Sequence, residues 1–192
     1  MKYLAQLILK ILGWKISVNK KELPSKAVLI QAPHTSAWDF VFGRLALLSE
    51  GIMIRTMIKK ESFYFPMGYL LKALGAFPID RASSQKSIKY VADLFKKKEE
   101  LILLMAPEGT RKLNKRWKKG FYFVADKANV PILLGFLCYK KKIAGIGPAI
   151  MPTGDYEEDM KKIEPFYHDK VAKFPKNFNL SEENREKEEH DD

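Results

Sequence analysis

Cysteine is nearly absent from this chain: Cys138 stands alone among 192 residues. No disulfide can form within it, so stability must come from a packed core rather than from covalent staples. Cys138 falls inside the apolar run ILLGFLCY, where it reads as a small buried hydrophobe and not as an exposed thiolate. That usage is compatible with a reducing, cytosol-facing location. Histidine is scarce too, with only His34, His168 and His190. His168 lies near a surface helix and His190 in a charged tail, so both are expected in solvent, and no ligand cluster or metal site is expected. There is no GxSxG elbow, which argues against a serine hydrolase and against Ser36 as a nucleophile. No internal repeat, long linker or recognised nucleic-acid motif is present.

What the chain has in excess is positive charge. The net charge is +11, and seven acidic residues crowd the end from Ser181, leaving about +16 on the rest. A basic body suits anionic partners: nucleic acid, a lipid head group, a phosphorylated substrate or an acidic acyl carrier. Charge alone does not choose among them. The length fits one domain with a substantial core.

The first stretch, MKYLAQLILKILGWK, sets Lys2, Gln6, Lys10 and Gly13 on one helical face and Leu4, Leu7, Ile8, Ile11 and Leu12 on the other. At about 1.5 Å per residue such a helix is roughly 22 Å long, short of the roughly 30 Å hydrocarbon core of a bilayer. It is expected to lie on a membrane rather than cross it, with Trp14 and the flanking lysines at the interface; docking onto its own domain is the other reading. No small-residue cleavage site follows it. Downstream, apolar runs alternate with amphipathic stretches. WKISV, AVLIQA, IMIRTMI, LILLM and VPILLGFLCY read as strands, KKIAGIGPAI as a hairpin partner, and WDFVFGRLALLSE, SSQKSIKYVADLFKKKEE, GFYFVADKA and TGDYEEDMKKIEPFY as helices. FYFPMGYLLKALGAF, broken by Pro66 and Gly68, is either core or an exposed apolar surface. The expectation is an α/β fold: a single-domain, mainly parallel mixed sheet flanked by helices, with residues 1–15 an interfacial helix, 16–176 the domain and 177–192 a charged, disordered tail.

Chemistry concentrates at two strand-to-loop junctions. After AVLIQ comes APHTSAWD, which delivers His34 and Asp39 to the rim where open α/β sheets hold ligands. Asp39 in the first helical turn can fix the imidazole tautomer and leave the other nitrogen as a general base. Equally, a strand-end histidine can be an ordinary loop residue and a first-turn aspartate a cap. After LILL comes MAPEGTR, presenting Glu108, Gly109, Thr110 and the two-pronged donor Arg111. FPIDR ends in Arg81, and the basic loop before GFYFVADKA carries Lys118 and Lys119; Lys112 and Lys115 are expected in solvent.

HTSAWD, FPIDR, PEGTR and VPILLGF stand in one order between Pro33 and Phe136. They resemble the four blocks of the glycerolipid acyltransferases related to lysophosphatidic acid acyltransferase, the first fitting H(X)4D and the third EGTR. Trp38 and Ala37 within the first block, and PIDR in place of a longer basic second block, depart from many members. The resemblance implies acyl transfer from an acyl carrier protein or coenzyme A thioester to a lysophospholipid, most simply 1-acylglycerol-3-phosphate, on the cytosolic face of a membrane. His34 would be the base and Asp39 its orienter, while Glu108, Gly109 and Thr110 would shape the acceptor site. Arg81 and Arg111, with Lys118 or Lys119, would hold phosphate. No cofactor is implied beyond the thioester. An amino-acid or amino-acid-lipid acceptor would use the same base, and a basic nucleic-acid-binding module is a reading of another class that leaves His34 and Asp39 without a purpose.

Overall fold

Parallel strands whose apolar residues run almost unbroken need cover on both faces, and this chain supplies it. The computed structural model describes residues 1–73, 75–79 and 84–180. In chain order the elements are α1 (Lys2–Ile11), β1 (Lys15–Ser17), β2 (Lys26–Ala32), α2 (Ala37–Ser49), β3 (Arg55–Lys59), α3 (Met67–Ala73), β4 (Ala76–Ile79), α4 (Ser84–Lys97), β5 (Leu101–Met105), α5 (Gly120–Ala128), β6 (Ile132–Cys138), β7 (Ile143–Ile150) and α6 (Tyr156–Ile163). The strands form one seven-stranded sheet in the order β1-β7-β6-β2-β5-β3-β4. Among the described residues the β6–β7 hairpin is antiparallel and the other pairings are parallel.

The central strand β2 divides its side chains by the two-residue period of a strand. Val28, Ile30 and Ala32 face a cluster built with Val91 and Phe95 of α4, Phe121 and Val124 of α5, and Met160 and Ile163 of α6. Ala27 and Leu29 face the opposite side with Leu47 of α2. Thus β2 runs into α2 on one face while its neighbour β5 leads to α5 on the other. Two adjacent parallel strands whose chains leave to opposite faces open a crevice at their carboxyl ends, the usual ligand position in such sheets.

Helix ends follow their local chemistry. Asp155 caps α6 by accepting from the amides of Glu157 and Glu158, both at 3.1 Å. Pro165 ends the α-helical turns, and a short 3-10 segment, Glu164–Tyr167, continues from there. Cys138 is buried, as its apolar surroundings predicted.

Two expectations are corrected. Trp14 is not at a membrane interface: it is only 8% exposed, stacked on Phe42 with ring centres 4.6 Å apart. Ala5 and Leu9 bury α1 against its own domain, and Gln6 donates to the Ser49 carbonyl at 3.0 Å. Tyr3, Leu4, Leu7 and Ile11 remain exposed, so the helix is docked by its Ala5 and Leu9 side and keeps a wider apolar side outward. The charged tail does not begin at Asn177 either. Phe178 and Leu180 pack on the main core, and the buried Asn179 accepts the Trp117 indole N–H on its carbonyl at 3.1 Å; two large apolar side chains suffice to pin the segment. Residues 181–192 lie outside the described residues. Among the described residues no helix is long and apolar enough to cross a membrane.

Candidate active site

Strand register brings the two sequence blocks together. Ile30 of β2 lies opposite Met105 of β5, so three residues further along each chain Pro33 and Glu108 arrive side by side. The backbone N–H of His34 donates to Glu108 Oε1 at 2.6 Å, tying the first block to the third. On the other flank Ala32 pairs with Phe136 of β6, which sets Tyr139 beside the start of α2.

The turn into α2 is a capping box. Ser36 is the N-cap and accepts from the Trp38 amide at 3.2 Å, while Asp39 reaches back to the N-cap amide. Asp39 Oδ2 takes the N–H groups of Thr35 and Ser36 at 2.6 and 2.7 Å, and Oδ1 takes the Tyr139 hydroxyl at 2.7 Å. His34 Nδ1 stands 3.5 Å from Oδ2, longer than a closed hydrogen bond but within the range that tightens when substrate binds. Gln31 braces the same turn by donating to the Asp39 carbonyl at 3.0 Å.

Asp39 is 1% exposed. Burial pushes its carboxyl up, but donation from the His34 ring, the Tyr139 hydroxyl and the Ser36 amide outweighs this and holds it below the usual carboxylate range. It is therefore the anion that selects the Nδ1–H tautomer of His34. The imidazole is 22% exposed, and its other nitrogen has no partner among the described residues. An oriented, partly exposed imidazole with one free nitrogen at a strand end can remove a proton from a hydroxyl or an amine.

Glu108 sits differently. Its side chain is turned inward, 2% exposed, and burial, aided by the nearby Asp39 charge, raises its carboxyl to about 8 against the single opposing donor from His34. At neutral pH it is mainly uncharged. Its carbonyl accepts from Asn114 Nδ2 at 3.0 Å, which folds the following loop back. Gly109 has φ of +67°, and a β-carbon there would lie 2.7 Å from Lys118 Cδ. The left-handed backbone favours glycine, and the flexible Lys118 side chain lies across it.

Of the remaining residues expected at the site, Lys118 is thus brought to Gly109, and its amide donates to the Pro107 carbonyl at 2.8 Å. Thr110 Oγ1 accepts from the Lys112 amide at 3.2 Å. Arg111 extends into solvent with no partner among the described residues. Lys119 is engaged elsewhere, paired to Glu157 at 2.7 Å and lying 4.2 Å over the Tyr156 ring. Arg81 lies outside the described residues. Sequence reasoning missed Tyr139 and Gln31. Gln31 was visible as a polar residue ending an apolar strand, whereas nothing in the spacing pointed to Tyr139. Among the described residues no group of three or more His, Cys, Asp or Glu side chains could hold a metal.

Comparison with known proteins bears on the family and the fold. Residues 15–133 match the family described as Acyltransferase. A Streptococcus pneumoniae protein named 1-acyl-sn-glycerol-3-phosphate acyltransferase is 33% identical over 140 residues, covering 68% of this chain and 51% of that protein. A Mycoplasma pneumoniae protein named probable 1-acyl-sn-glycerol-3-phosphate acyltransferase is 32% identical over 148 residues, covering 68% and 52%. The chain therefore spans about half the length of the curated relatives it matches. The crystal structure of the 1-acyl-sn-glycerophosphate (LPA) acyltransferase PlsC from Thermotoga maritima shares the fold, with a TM-score of 0.61 and 18% identity over 86% of this chain and 74% of that one.

Proposed function

The chain belongs to the acyltransferase family, and we propose that it transfers a fatty acyl group from a thioester to 1-acylglycerol-3-phosphate with His34 as the general base. The observation that carries this reading is the His34 imidazole held against ionised Asp39 beyond the carboxyl end of β2, its second nitrogen unengaged among the described residues. An acceptor acylated at position 1 and phosphorylated at position 3 offers its 2-hydroxyl. His34 takes the hydroxyl proton as the oxygen attacks the thioester carbonyl carbon. The tetrahedral intermediate then collapses, the C–S bond breaks, and the imidazolium returns its proton to the departing thiolate. The thioester is already activated, so no covalent enzyme intermediate is required. Asp39 orients the ring and stabilises its cationic form.

Arg111 and Lys118, with Arg81, are the cations assigned to the acceptor phosphate, a guanidinium gripping two phosphate oxygens where an ammonium supplies a point charge. Glu108 shapes the site from behind by fixing the His34 backbone. The acyl carrier protein or coenzyme A delivers the thioester, and either suits a basic body. The exposed Tyr3, Leu4, Leu7 and Ile11 of α1, flanked by Lys2 and Lys10, support seating on the cytosolic face of an anionic membrane.

The test is thiol release by the purified protein with acyl-CoA and acyl-carrier thioesters. Acceptors are 1-acylglycerol-3-phosphate, glycine and a lyso-ornithine lipid, each with and without anionic vesicles. We expect release with the phosphate-bearing acceptor, faster on vesicles. An enzyme indifferent to that acceptor but fast with an amine would replace the acceptor and retain the base.

A further inference from the structure

Asp39 has two oxygens, and its own loop accounts for one. Oδ2 rests on the amides of Thr35 and Ser36 and faces His34, whereas Oδ1 points out of the loop to the Tyr139 hydroxyl, 2.7 Å away and a hundred residues later in the chain. Tyr139 is itself clamped. Its amide donates to the Val171 carbonyl at 2.9 Å, and its ring stands edge-on to Trp14 and Phe42, with centres 5.2 and 6.1 Å apart. The segment that holds it also grips the first block, the Phe174 amide donating to Thr35 Oγ1 at 3.1 Å. Burial, and then the Asp39 carboxylate, keep the phenol protonated far beyond the pH at which a free tyrosine ionises. It is a permanent donor.

We propose that Tyr139 is a positioning residue for the His34–Asp39 pair: its hydroxyl pins Oδ1 so that Oδ2 faces the imidazole. The inference rests on the reading of His34 as base. Without the hydroxyl, Oδ1 is a buried anionic oxygen with no donor, and the carboxylate both gains proton affinity and loses its rotational lock. The groups that face Asp39 are His34 from its own loop, Glu108 from the β5 loop and Tyr139 from the end of β6. Beyond the tyrosine stands the Lys173 ammonium, 5.9 Å from its ring centre and 5.1 Å from that of Trp38.

Tyr139→Phe keeps the ring and its packing and deletes only the donor. Full-length Tyr139→Phe and His34→Ala are compared with wild type, using an acyl thioester and 1-acylglycerol-3-phosphate on anionic vesicles between pH 5 and 9. For Tyr139→Phe, kcat falls about tenfold while both KM values stay within about twofold. The acidic limb of kcat/KM moves to higher pH, because the His34–Asp39 pair, with one donor fewer on its carboxylate, binds its proton more tightly. Carbon-13 NMR of the Asp39 carboxyl in the folded variant reads the same upward move without reference to activity. Wild-type kcat, or a uniform loss with both the acidic limb and the Asp39 titration unmoved, overturns the proposal, since a merely structural tyrosine predicts that result. The two readings separate cleanly: an inactive His34→Ala beside a wild-type Tyr139→Phe removes only the tyrosine assignment, while an active His34→Ala removes the pair and the tyrosine's role together.

Discussion

Two carboxyls stand at neighbouring strand ends, Asp39 at 1% exposure and Glu108 at 2%, yet they are built for opposite charge states. Asp39 receives two backbone amides and a tyrosine hydroxyl and stays ionised. Glu108 receives one amide and keeps its proton to about 8. Burial is the same; the number of donors differs. Desolvation raises any carboxyl, and only donors aimed at the anion reverse it. The β2 turn supplies them because a helix N-terminus has amides to spare, whereas the Glu108 carboxyl takes only the His34 amide among the described residues. One carboxylate can therefore charge the imidazole beside it while the other acts as neutral scaffolding.

If that division holds, the largest loss follows removal of the proposed base and its anion. His34→Ala is expected to cut turnover at least roughly a hundredfold with acceptor binding little changed, the usual scale of general-base catalysis. Asp39→Asn should be comparably severe. An amide keeps the size but not the charge, and its NH2 can turn toward Nδ1 and favour the wrong tautomer. Single-turnover kinetics with equilibrium acceptor binding separate the terms. Near wild-type turnover in folded His34→Ala would end the assignment, and full activity in Asp39→Asn would show that the aspartate is only a cap.

The next effect tests the outer side of the same β5 loop, where charge stays in water. Arg111 and Lys118 are exposed, and Lys118 lies across Gly109. Alanine at Arg111 or Lys118 is expected to raise the acceptor KM about tenfold, as loss of a charge-assisted hydrogen bond does, with the thioester KM unmoved. Arg111→Lys should recover only part of it. Lys119→Ala is the contrast, because that ammonium is committed to Glu157 and Tyr156. Equal KM effects at Lys118 and Lys119 would mean that the basic loop acts as a diffuse field and not as a site.

How much of this was legible in the chain depends on whether the cause was local. His34, Asp39 and Ser36 belong to one turn, and a capping box is written in four consecutive residues. The parallel sheet followed from runs such as AVLIQ and LILL, whose unbroken apolarity requires cover on both faces. Tyr139 is a contact of register: it meets Asp39 because β6 pairs beside β2, and no local pattern encodes which strand becomes the neighbour. Glu108 illustrates a different blindness. PEGTR reads as a polar loop, but the alignment of β2 with β5 turns its glutamate inward under His34, so a residue expected to meet the acceptor fixes the backbone behind it. The periodicity of α1 did not single out Ala5 and Leu9 as its docked side, and Trp14 was misplaced because an interfacial and a stacked tryptophan look alike until Phe42 is seen beneath it.

The smallest change in turnover is expected at Glu108, and it sharpens the contrast with Asp39 most directly. At pH 7 the Glu108 carboxyl holds its proton, so Glu108→Gln replaces one neutral group by another of the same shape and keeps an oxygen for the His34 amide. Turnover should stay within a few-fold of wild type, where Asp39→Asn is nearly inactive. Stability carries the signature instead. The folded value of about 8 lies above the ordinary 4.5, so between those limits the native state keeps a proton that the unfolded chain has released. The stabilisation is fully present below about 4.5 and is lost as pH rises toward 8, by on the order of a few kcal/mol in all. Asp39 works in the opposite sense and in a lower window: held below the usual range, it loses its contribution only as pH falls through its folded value. Urea midpoints of wild type and Glu108→Gln at pH 5, 6, 7 and 8 read the difference. Wild type should weaken relative to the variant with each step upward. Parallel curves would mean that Glu108 is ionised throughout, and the two carboxyls would then be one kind of group rather than two.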